Sequence, residues 1–201
     1  MAEPLGRQGA IESVNTFEHL SITFVLILVL GVTRIVSDVA GAFLHRHTSR
    51  LHWVPLAWAL LVLVWLVQTL WAIYGLREFE SSWDIVDFVI QLLGVLFLFA
   101  AACTVVPRTL DQNLGLFEQF QRDGRWALLF LALFFLLAIV INHRLYGVDY
   151  WFIGNLEDLV LAVILLIILC SRSHANWALG TWLFIVATIV AMLVLTPVRH
   201  E

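Results

Sequence analysis

WVPLAWALLVLVWLVQTLWAIYGL, residues 53–76, carries no charged side chain. As a helix rising about 1.5 Å per residue it is about 36 Å long, enough to cross a hydrocarbon core of about 30 Å. No water reaches backbone N–H and C=O groups there, and a helix satisfies them internally. Five further stretches share this character: 17–44, 83–106, 126–141 with its flanks, 151–170 and 177–196. The expected fold is therefore an all-α membrane protein, a six-helix transmembrane bundle with one short interfacial amphipathic helix.

Composition agrees. Of 201 residues, 62% are hydrophobic and 13% charged, against about 45–50% and about 25% in a soluble domain. A net charge of −4 without a basic tract argues against a nucleic-acid partner and leaves the lipid bilayer as the surroundings. All 11 basic residues are arginine, which suggests GC-rich coding and a bacterial source. Cys103 and Cys170 form no CxxC pair and read as small apolar side chains.

Residues 1–16 form a short N-terminal segment with Glu3, Glu12 and Arg7 and no basic run, so 17–44 reads as a retained span rather than a cleaved leader. Residues 17–196 are expected to make one six-span domain, followed by a tail at 197–201. In the longest connection, PRTLDQNLGLFEQFQRDGR at 107–125, Leu110, Leu114 and Phe117 share one helical face and Gly124 offers a stop. A surface helix near 109–123 is expected. Trp53, Trp126 and Trp177 on one side, with Trp71, Trp83 and Trp151 on the other, read as two aromatic belts. Arg46, Arg50, Arg108, Arg122, Arg125 and Arg172 follow odd-numbered spans, while Arg7, Arg77, Arg144 and Arg199 lie opposite. That bias places both termini outside the cytoplasm.

Charges within the spans are the informative exceptions. Arg34 and Asp38 sit near the end of the first span with Gly31, Gly41 and His45, within an arc of roughly 80°. The pair reads chiefly as a structural, protein-facing ion pair, with an inner gate and interfacial snorkelling as alternatives. In the fifth span the uncharged part, Leu159–Cys170, gives only about 18 Å of helix. Either the bilayer thins, or Asn155, Glu157 and Asp158 lie at membrane depth, where carboxylates need partners or protons. Asn142, His143 and Arg144 end the fourth span one short loop away. Asp84, Asp87 and Gln91 share a face of the third, and Glu18 with His19 adds groups from the first. An acid-rich vestibule of this kind concentrates cations. The competing reading is helix-to-helix pairing, with Arg144 bridging to Glu157 or Asp158.

His45, His47, His52 and His174 match no metal-binding spacing, and no histidine lies mid-span for haem ligation. No phosphate loop, nucleotide fingerprint, metalloprotease or hydrolase motif, or potassium-filter sequence is present. No metal, no cofactor and no enzymatic activity are expected.

FEHLSI at 17–22, LGVTRIVSD at 30–38 and HWVPLAWALLVLVWLVQTLWAIYGLR at 52–77 together resemble a group of six-span bacterial inner-membrane proteins without an assigned activity. The likeness covers the first two spans, and the rest by layout. It implies the six-span fold and an inner-membrane location and carries no functional residue. Two functions fit the residues. One is a small proton or cation channel or transporter of unknown ion, with Glu157, Asp158, Asp87, Asp84, Gln91 and Glu18 at its mouth and Arg34 and Asp38 at an inner constriction. The other is a non-catalytic accessory or assembly subunit, in a homo-oligomer or a larger membrane complex, with Arg144 and His143 in structural pairing.

Overall fold

The computed structural model describes residues 5–44, 52–75, 84–107, 115–171 and 173–195, with side chains in the first helix from Ser21 onward. The helices are α1 (Leu5–Leu44), α2 (Trp53–Gly75), α3 (Ile85–Thr104), the one-turn α4 (Leu116–Gln119), α5 (Arg125–Tyr146), α6 (Ile153–Cys170) and α7 (His174–Leu195). Among the described residues six segments are long and apolar enough to cross a membrane: Ser21–Leu44, Trp53–Tyr74, Ile85–Thr104, Leu116–Leu145, Ile153–Cys170 and His174–Leu193. The protein is an all-helical, multi-pass integral membrane protein. Helix α1 is continuous from Leu5, so much of the expected N-terminal segment extends the first span.

The spans close into a ring in which α1 packs on α3, α3 on α5, α5 on α6, α6 on α7, α7 on α2 and α2 on α1. Helix α2 also touches α3, and its span is the most buried of the six described ones. Its aromatic side chains set the spacing of the bundle. Trp58 packs at a tilt of 38° on Phe184 of α7, 5.0 Å between ring centres, and Trp65 meets Phe135 of α5 edge-on at 4.7 Å. Both indoles are buried, so their shared face meets protein rather than lipid. The Trp58 Nε1–H donates to the Thr181 hydroxyl at 3.0 Å, and that hydroxyl donates to the Trp177 carbonyl. Lipid tails are as apolar as leucine, so such packing and hydrogen bonding, rather than water exclusion, bring the helices together.

Small residues mark the closest approaches. A Cβ on Gly31 would lie 3.1 Å from Leu66, and one on Gly180 would overlap Ile168. Large apolar side chains such as Leu26, Val67, Ile167 and Leu179 face outward, as a lipid-exposed surface requires.

The connection before α5 departs from expectation. Residues 108–114, including Leu110 and Leu114, lie outside the described residues. From Leu116 the chain is helical, its first turn capped by the Gly115 N–H donating to Glu118 at 3.1 Å. Gly124 does not end this helix. A π-helical turn over Phe120–Gly124 carries it directly into α5. Leu116, Phe117 and Phe120 are buried, and Phe120 meets Trp177 edge-on at 5.6 Å. Trp177 is therefore packed inside the bundle, whereas Trp53, Trp71, Trp126 and Trp151 are exposed; Trp83 lies outside the described residues. The outcome at Gly124 has a steric cause, because a Cβ there would overlap the Phe120 ring.

Gly124→Ala is expected to force Phe120 off its seat against Trp177 and to cost about 1–3 kcal/mol, the usual range for overpacking. Thermal unfolding in detergent measures it, and an unchanged midpoint would show that the ring has room to move.

Candidate functional site

Two polar assemblies form where α5 meets its neighbours. The first joins α3 to α5. Asp84 is the N-cap of α3: its carboxylate accepts the Ile85 N–H at 2.6 Å, while Asp87 accepts the Asp84 N–H at 3.3 Å. The other oxygen of the buried Asp87 accepts from the half-exposed Arg144 Nε at 2.8 Å. One turn inward, Gln91 is buried, and its side-chain oxygen has no hydrogen-bond partner among the described residues. Asp84 and Asp87 thus serve a helix start and a helix pair.

The second assembly joins α5 to α6. Gly147, at φ 62°, ends α5 in the left-handed region that favours glycine and donates to the Asn142 carbonyl. The reversal aims the Val148 carbonyl at His143, whose Nδ1–H donates to it at 3.0 Å, and His143 stacks on Tyr150 at 4.0 Å. It also presents the Asp149 carbonyl to Asn155 Nδ2 at 3.0 Å. Asn155 is fully buried, and its Oδ1 accepts from Asn142 Nδ2 at 2.9 Å, with Asp158 Oδ2 3.4 Å from the same nitrogen.

Inward of this lock lies a cavity of about 290 Å³ bounded by α2, α5, α6 and α7. Glu157 and Asp158 line it with Gln68, Thr69 and Asn142, while Trp65, Phe134 and Met192 supply apolar walls. Its free volume has a packing origin: Ala72, Ala138, Gly154 and Ala191 converge beside the aromatic layer that holds α2 away from α5. No lining residue is basic. Glu157 has neither an ion pair nor a hydrogen bond among the described residues, and Arg144 pairs with Asp87 instead. Helix α6 has 18 residues, about 27 Å, and Glu157 and Asp158 fall within this candidate span.

Arg34 and Asp38 meet at 2.7 Å on α1 with side chains 17% and 9% exposed, facing protein. Neither residue lines the cavity. The side chain of Glu18, together with His45 and His47, lies outside the described residues. The cavity residues Gln68 and Thr69 were absent from the sequence-based site. Their signal was two adjacent polar residues in the otherwise apolar second span.

Near the start of α2, His52 and His174 flank Phe117 at 4.5 and 5.0 Å. Partial burial, then the neighbouring His174, holds His52 below its usual 6.5. Among the described residues no three His, Cys, Asp or Glu side chains gather as a metal site.

Comparison with protein-family models, with curated proteins and with solved structures finds no match.

Asp87→Asn and Arg144→Met should each destabilise the bundle, and their double-mutant cycle should return a coupling of about 1–2 kcal/mol, low in the range for charged hydrogen bonds because Arg144 is half-exposed. A coupling near zero would remove the pair from the α3–α5 contact. Folding favours neutral His52, so the stability it contributes is present above pH 6.5 and is lost as pH falls through its lowered folded value. Unfolding midpoints across that window should drop on acidification, and His52→Gln should flatten that part of the profile.

Proposed function

We propose that the protein is a small, non-enzymatic membrane transporter or channel for protons or cations, with Glu157 and Asp158 as its ion-binding groups. The observation that carries this reading is a pair of adjacent carboxylates inside a membrane span, opening on a cavity lined by polar and apolar side chains and no basic one. Intramembrane carboxylates are costly unless paired, protonated or bound to a cation. Asn142 gives Asp158 one neutral donor, and Arg144 is committed elsewhere. Asp84, Asp87 and Gln91 on α3 and the Arg34–Asp38 pair on α1 do not line this cavity, so the proposed ion site rests on Glu157 and Asp158. The resemblance of the first two spans and the all-arginine composition support a bacterial inner membrane. The arginine bias supports termini outside the cytoplasm.

A second reading, a non-catalytic accessory or assembly subunit in a homo-oligomer or larger complex, draws on the Asp87–Arg144 and Asn142–Asn155 contacts. These are interhelical ties and need no transported species.

Purified protein in liposomes is expected to pass protons or monovalent cations, and Glu157→Gln/Asp158→Asn, still monodisperse and helical, is expected to abolish that flux. Absence of flux above empty liposomes under either sign of potential would overturn the transport reading and favour the accessory one.

A further inference from the structure

Resting on that reading, we infer that the cavity bounded by α2, α5, α6 and α7 is built for a small organic ammonium ion rather than a bare metal cation. Its volume of about 290 Å³ approaches the roughly 300 Å³ at which small-molecule pockets begin, and equals the bulk volume of roughly ten waters. A bare monovalent or divalent ion would leave most of that space unfilled.

The donor arrangement points the same way. Hard cations require six or more oxygens converging from several directions at fixed distances. Here the two carboxylates come from successive residues of one helix. Beside them the lining holds the neutral polar Gln68, Thr69 and Asn142, and Trp65, Phe134 and Met192, which offer no hard oxygen ligand. An ammonium head places its N–H donors toward Glu157 and Asp158, while its apolar body fills the aromatic side. Aromatic rings attract cations through their quadrupole, and thioethers pack readily on irregular apolar groups. The Thr69 hydroxyl spends its proton on the Trp65 carbonyl at 2.8 Å, so what it can offer an occupant is lone pairs, the complement of an N–H donor. The absence of basic lining residues disfavours anions.

The test uses the full chain in detergent with benzylammonium as probe. Benzyl alcohol serves as its uncharged counterpart, and sodium and potassium chloride as inorganic competitors. Calorimetric titration should show saturable binding of benzylammonium and none of benzyl alcohol. Neither salt should displace the probe beyond the modest weakening that screening gives. Glu157→Gln/Asp158→Asn should weaken binding at least tenfold. Phe134→Leu, which nearly conserves volume, should weaken it about three- to tenfold. The wild-type comparison of charged and uncharged probes needs no variant, so a misfolded mutant does not blunt it.

Failure of benzylammonium to bind, or its displacement by potassium at equal concentration, overturns the inference. If carboxylate-dependent proton or potassium flux persists in liposomes in that case, the transport reading survives and only the ligand class falls. Binding without any flux keeps the ligand class and removes the transport step.

Discussion

Lipid surrounds this bundle with a solvent no more polar than its own leucines, so water exclusion does not drive one helix onto the next. Every closure has to come from contact or from polar groups that lipid cannot serve. Such bonds occur around the ring: Trp58 to Thr181 ties α2 to α7, Asn142 to Asn155 ties α5 to α6, and Arg144 to Asp87 ties α5 to α3. Between them the interface is aromatic stacking and the close approach of Gly31 and Gly180 to branched side chains. Interhelical hydrogen bonds in membranes contribute only about 0.6–2 kcal/mol each. Their directionality nonetheless decides which faces meet.

That directionality also explains how charge is distributed. Asn142 and Arg144 are two residues apart on α5, hence roughly 200° apart around its axis, and they serve opposite neighbours. Arg144 turns to α3 and neutralises Asp87, while Asn142 turns to α6 and meets Asn155 and Asp158. The one described cation near the α5–α6 turn is thereby taken away from the carboxylates of α6. A uniformly glued bundle would have directed it toward them.

The six spans were legible because length and apolarity fix them and lipid permits little else. The partner of Arg144 was not, because sequence places Glu157 and Asp158 one short loop away, whereas the rotation of α5 turns the guanidinium to Asp87 on α3. The surface helix was read from Leu110, Leu114, Phe117 and a glycine stop. Phe117 instead joins the interior, and Gly124 is needed for the Phe120 ring rather than for termination. Trp177 looked like a belt residue by position alone. Its burial depends on Phe120, which reaches it only through the continuous helix.

The π-helical turn at Phe120–Gly124 fixes the phase of α5. It holds one residue more than an α-turn of the same height, so the segment anchored by Phe117 and the segment bearing Asn142 and Arg144 are offset in register by that residue. In an uninterrupted α-helix the same residues would stand about 100° away around the axis. The side chain now bonded to α6 would then face elsewhere, and the guanidinium would leave α3. A single unit of chain length thus acts as the vernier by which the whole span is aimed.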